Sequence, residues 1–212
     1  SSQKTETGTP LSYFSPPRPR VFAHRGASGL APENTLAAFA LATTMGATHL
    51  ELDVHGTCDG SVVVLHDGTV DRTTNGHGKV CALSLEEITA LDAGHRFTHD
   101  GKTFPYRNQG VRIPTLREVL ETFPRHGLNI EVKQSDAWIV PAVVDLVERA
   151  GAAARVLLAA EMTEIIGQIR RAVGDRIATG MSAADVGEFM VRFGRKDWPG
   201  YHPPGRALQV PP

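Results

Sequence analysis

The stretch FAHRGASGLAPENTLAAF, residues 22–39, sets a base, a cation and a glycine side by side where an apolar run ends. His24 can take up or give a proton near neutral pH. Arg25 carries a planar fork of N–H donors that matches phosphate oxygens. Gly26 lets the backbone turn sharply and a ligand come close. Asn34 or Thr35 can cap the helical pattern that follows, and a helix N-terminus favours an anion. This grouping predicts a phosphate-handling element at the mouth of a pocket. His66, at the end of the run VVVLH, supplies a second imidazole, so one histidine can act as general acid and the other as base. For either one, the plainer alternative is a packed or surface histidine.

Carboxylates follow the same logic. Side chains alternate along a strand, so Glu51 and Asp53 in LELDV share one face, as do Glu131 and Lys133 in NIEVK. At the carboxyl ends of parallel strands such groups point into one pocket. Three carboxylates converging there suit a hard divalent cation with oxygen ligands. The alternative is that these acids only neutralise nearby lysines and arginines. The remaining histidines (His49, His55, His77, His95, His99, His126 and His202) are assigned to loops or the surface. His55, two residues past Asp53, also has the option of lying near the site. Asp71 and Arg72 in TVDRTTNG read as turn-forming residues with a structural salt-bridge role.

The elements that must position these groups alternate. Short apolar runs at 20–23, 49–54, 128–132, 155–160, 176–180 and 207–210 read as strands. Helical periodicity covers 34–45, 114–123, 138–150, 164–173 and 183–193. Strands alternating with helices predict parallel pairing and an α/β fold. Two segments break the alternation. Asp59-Gly60 between apolar runs predicts a two-residue hairpin turn, with Cys58 against Ser61 and Asp53 opposite His66. Residues 68–112 are rich in Gly, Thr, Asn and His, with one helical patch at 84–91. They read as an insertion that builds a binding mouth.

The bulk numbers exclude some classes. A net charge of −1 over 212 residues argues against a nucleic-acid partner. No apolar run is long enough for a membrane span. No GxGxxG or Walker loop is present. Two cysteines, Cys58 and Cys81, make no metal cluster and at most one disulfide. Residues 1–19 are polar and proline-rich and are expected to form a flexible arm. Lacking a signal-peptide h-region, the start points to the cytoplasm, although a cleaved signal would leave no trace.

Taken together, HRG at 24–26, PENT at 32–35, ELDV at 51–54, DG at 59–60, LHD at 65–67, DRTTNG at 71–76 and IEVK at 130–133 resemble the glycerophosphodiester phosphodiesterase family. The resemblance runs in order from Phe22 to Lys133 and less distinctly to Val210. It implies a TIM (β/α)8-type barrel with a small insertion after the second strand, matching 68–112. It implies metal-dependent hydrolysis of glycerophosphodiesters to glycerol 3-phosphate and an alcohol, with one divalent cation, Mg²⁺ or Ca²⁺. By the resemblance Glu51, Asp53 and Glu131 fall on metal-ligand positions, His24 and His66 on the acid/base pair, and Arg25 and Lys133 on phosphate-contacting positions. The domain is expected at 20–212, incomplete, because the family's barrel has two further strands and this sequence stops at LQVPP. Two other readings stay open. A lysophospholipase D or sphingomyelinase D type enzyme would need an apolar rim, for which Phe97, Phe104 and Tyr106 of the insertion are too few to argue strongly. A non-catalytic barrel that binds phosphodiesters is favoured by the missing strands and opposed by the filled reactive positions.

Overall fold

Apolar periodicity translates directly into alternating strands and helices in the computed structural model, which describes residues 12–16 and 18–208. In chain order these are β1 (Phe22–His24), α1 (Leu36–Thr44), β2 (His49–Gly56), β3 (Val62–Val64), α2 (Leu85–Thr89), α3 (Leu116–Thr122), β4 (Gly127–Val132), α4 (Ile139–Arg149), β5 (Val156–Ala159), α5 (Thr163–Val173), β6 (Ala178–Thr179) and α6 (Ala183–Arg195). The sheet order is β1-β2-β4-β5-β6, parallel throughout, with β3 antiparallel to β2. Among the described residues no helix is long and apolar enough to cross a membrane.

Every residue of β2 is buried, because helices cover one face and the interior of the curved sheet the other. Leu50, Leu52 and Val54 join Leu128, Ile130 and Leu158 in the core beneath the helices. The helices supply Phe39, Leu120, Val143 and Ile165 to the same core. The intervening positions of β2 carry Glu51, Asp53 and His55, so burial on that face holds polar groups. Local signals set the helix starts. Thr35 caps α1, its hydroxyl accepting from Ala38 N at 3.2 Å. Thr115 and Glu118 cap α3 reciprocally. Arg155 is buried yet donates to the carbonyls of Leu120, Phe123 and His126, which meets the open C-terminal end of α3.

Two expectations are corrected, the hairpin register and the placing of His49 and His55. The hairpin loop has three residues, Cys58-Asp59-Gly60, and is closed by Thr57 N donating to Ser61 O at 2.9 Å. Gly60 takes φ +82°, the left-handed position of a three-residue loop. Val54 therefore faces Val64, and Leu65 rather than His66 comes to Asp53, its N–H donating to Asp53 O at 3.0 Å. The expected pairing was one residue out, and a one-residue slip exchanges the faces of a strand.

His49 and His55 are not loop or surface residues, since they lie on the fully buried β2. Residues 207–210 show a single bridge, Ala207 to Gly180, and 209–212 lie outside the described residues. Of the expected arm, 1–11 and 17 also lie outside them. In its described part Tyr13 is buried among mostly exposed neighbours, donates its N–H to Ala154 O, and accepts at its carbonyl from His49 Nε2 at 2.7 Å. It thereby straps the N-terminal ends of the strands. The segment 68–112, largely irregular, packs on a second small core of Val63, Leu65, Val70, Val80, Ile88, Ala93 and Ile113.

Candidate active site

Three neighbouring parallel strands carry the site, and their register aligns it. His24 lies opposite Glu51, and Asp53 opposite Glu131. Glu51, Asp53 and Glu131 each offer a carboxylate oxygen within 4.8 Å of the others. Asp53 is 1% exposed. Burial and then the neighbouring charge of Asp53 push the Glu51 carboxyl up to about 8. Three acids held this close have more negative charge than their surroundings compensate.

Two cations face them. Lys133 Nζ lies 2.8 Å from Glu131 and 3.4 Å from Asp53. Burial opposes its charge, but those two carboxylates outweigh burial and hold the ammonium above its ordinary range. Arg25 sits with Nε 3.4 Å from Asp53 and donates from its other end to Glu33 at 3.0 Å. That Nε is buried and has no hydrogen-bond partner. A buried donor left open beside acids and a lysine is a ready contact for a phosphate oxygen.

The strand stops at His24 for a local reason. Arg25 has φ +57° and Gly26 φ +80°, two successive left-handed residues. The Arg25 N–H donates to Glu51 Oε2 at 2.9 Å and to Glu51 O at 3.0 Å, which fixes the turn onto β2. A Cβ on Gly26 would stand 2.7 Å from the backbone carbonyl carbon of Ala38. Gly26→Ala is therefore expected to destabilise the fold by about 1–3 kcal/mol. Gly29→Ala, with nothing within 4 Å, should leave the chain unaffected. Thermal midpoints of the two variants check this, and equal midpoints refute it.

The candidate residues do not all meet. Glu51, Asp53, Glu131, Arg25 and Lys133 form one cluster of polar contacts. His24, with its side chain 71% exposed, joins through Nε2 at 3.9 Å from Glu51. His66 makes no direct polar contact with that cluster. Its Nδ1 lies 2.7 Å from Asp67, and its carbonyl accepts from His55 Nε2 at 3.0 Å. Arg72, through its hydrogen bond, holds the Asp67 carboxyl down at about 2. A carboxylate only accepts, so His66 Nδ1 carries a hydrogen, and in the neutral ring Nε2 then keeps the lone pair.

Several residues were missed as parts of the site. Of the two residues offered as helix caps, Thr35 caps, and Asn34, at φ +57°, donates from Nδ2 to Asp53 Oδ2 at 2.9 Å. His55 steadies the His66 loop. Glu33 and Asp67 carried no signal beyond their neighbours in PENT and LHD. Arg72 forms the salt bridge expected of it, with Glu33 and Asp67. Asp71 closes its own turn by accepting from Gly78 N.

Comparison with known proteins points one way. The model of the glycerophosphoryl diester phosphodiesterase family matches residues 24–172. The chain is 53% identical over 115 residues to a glycerophosphodiester phosphodiesterase of Caldanaerobacter subterraneus subsp. tengcongensis, covering 53% of this chain and 44% of that protein. It is 48% identical over 118 residues to glycerophosphodiester phosphodiesterase 1 of Homo sapiens, covering 54% of this chain and 34% of that one. The chain thus spans less than half the length of these curated relatives. A solved phosphodiesterase of Oleispira antarctica, in complex with the product sn-glycerol-3-phosphate, superposes with a TM-score of 0.67 at 34% identity, over 76% of this chain and 65% of that one.

Proposed function

This chain belongs to the glycerophosphoryl diester phosphodiesterase family, its parallel sheet forming part of a TIM-type barrel, and from that membership we propose that it hydrolyses glycerophosphodiesters to glycerol 3-phosphate and an alcohol. The carrying observation is the meeting of Glu51, Asp53 and Glu131 with Arg25 and Lys133 at the carboxyl ends of adjacent strands. The Oleispira antarctica structure, whose bound product is that of the proposed reaction, supports it.

A divalent cation fits the acidic group. Its donors are all hard oxygens, and they lie within 4.8 Å of one another. Glu51, Asp53 and Glu131 would hold Mg²⁺ or Ca²⁺, which when bound supplies Lewis-acid stabilisation of charge on phosphoryl oxygens. The chain's own residues do the rest. Arg25 and Lys133 bind phosphate oxygens and hold fixed positive charge where negative charge builds in the transition state. His66, with Nε2 open, accepts the proton of the nucleophile. His24, exposed at the rim, gives a proton to the leaving alkoxide. The nucleophile is water or the 2-hydroxyl of the substrate's glycerol, which would pass through a cyclic phosphate. Turnover of a substrate without that hydroxyl separates the two routes.

The test is release of glycerol 3-phosphate from glycerophosphocholine, with and without EDTA. Turnover abolished by EDTA and restored by Mg²⁺ or Ca²⁺ is expected. Turnover indifferent to EDTA refutes the cation, and no release across several headgroups refutes the hydrolytic reading.

A further inference from the structure

We propose that Arg72, from the insertion, is a positioning residue that ties the proton-accepting side of the site to its phosphate-binding side. Nε and Nη2 donate to the two oxygens of Asp67 at 2.6 and 3.1 Å. Nη1 and Nη2 donate to the two oxygens of Glu33 at 2.9 and 2.8 Å. One planar guanidinium thus holds two carboxylates, each bidentately, one 39 residues and the other 5 residues before it in the chain. Asp67 passes the constraint to His66 Nδ1, and Glu33 passes it to Arg25. The proposal rests on the reading of His66 as proton acceptor and Arg25 as phosphate binder.

The geometry explains why a salt bridge is placed here. Without Arg72, Glu33 and Asp67 would face each other as like charges. Asp67 would then be free to swing away from the imidazole beside it. Neutral histidine in water exchanges its proton between the two nitrogens, and only a fixed acceptor at Nδ1 keeps Nε2 open. Arg72 itself has four of its five N–H groups committed to these carboxylates, so it acts through its neighbours and not on substrate. Among the described residues the polar groups facing His66 are Asp67 on one side and His55 at its carbonyl, with Arg72 behind Asp67.

The test uses the full chain with ¹⁵N-labelled histidine at mildly alkaline pH, with His66 assigned by its loss in His66→Gln. In the unsubstituted protein His66 should show a protonated Nδ1 and a bare Nε2. In Arg72→Ala it should show a mixture of the two tautomers. Arg72→Lys keeps the charge but lacks the fork, so it should show the same mixture and decides the matter if Arg72→Ala does not fold. In the glycerol 3-phosphate assay either variant should lose about 10- to 100-fold in kcat. In a His66→Ala background the same change should cost clearly less, leaving only the part carried through Glu33 to Arg25. An unchanged His66 tautomer in the folded variants overturns the proposal, as does a full further loss in the His66→Ala background. If the tautomer responds while the unsubstituted chain releases no product, the positioning stands and the hydrolytic reading alone falls.

Discussion

His66→Ala is expected to lower kcat by about 10²- to 10⁴-fold, the usual loss when a general base is removed. The effect should be chemical and not structural. The side chain is 30% exposed, and what anchors this loop is the His66 carbonyl bonded to His55, which alanine retains. His24→Ala should cost a similar factor on glycerophosphocholine, whose leaving alkoxide needs a proton. On a p-nitrophenyl ester of glycerol phosphate the leaving group needs none, so the loss in His24→Ala should largely vanish while that in His66→Ala remains. Steady-state rates of both variants on both substrates assign the two roles. A mild loss in His66→Ala on either substrate removes it from the mechanism, and the reverse pattern exchanges acid and base. His77→Ala, whose side chain is 77% exposed and pairs only with Asp71, is the control and should turn over normally.

Asp53→Asn should raise the cation concentration needed for half-maximal turnover by more than the roughly 10- to 100-fold that follows loss of an outer partner of a metal ligand. Asp53 is the most deeply buried of the three acids, and both cations of the site lean on it. Asparagine keeps its shape but not its charge. The fold should survive, because Arg25 retains Glu33 and Lys133 retains Glu131. Asn34→Ala removes the hydrogen bonds it makes to the Asp53 side chain and N–H, strains the backbone at φ +57°, and should show the smaller effect of about 10- to 100-fold. Calorimetric titration with Mg²⁺ or Ca²⁺ reads both variants without relying on turnover. An unmoved titration in Asp53→Asn would remove that residue from the ligand set.

Much of the scaffold was legible in the sequence because it rests on short-range periodicity. The pattern of Ile165, Ile166, Ile169 and Val173 placed α5 within a residue, and the periodicity over 114–123 placed α3 within two. Strand ends were less legible. β1 lies two residues later than its apolar run suggests, since the ladder is defined by where β2 can reach it. The hairpin was misread by one residue, because Asp59-Gly60 marks a turn without stating whether Thr57 or Cys58 closes it. His49 and His55 looked like surface residues because nothing near them in the chain shows that β2 is covered on both faces.

By itself the sequence determined which chemistry this chain carries. Glu-x-Asp and Glu-x-Lys put their members on one face through the two-residue period of a strand, and His-Arg-Gly stops a strand with a turn only glycine accommodates. The tertiary structure alone decided which of these groups meet. Asp53 stands beside Glu131 through the register of β2 with β4, and Asn34 turns to Asp53 rather than to its helix. Glu33, Arg72 and Asp67 join across a long stretch of chain. Covalent geometry dictates spacing over a few residues. Contacts over longer separations follow from how buried faces pack, and packing belongs to the whole fold.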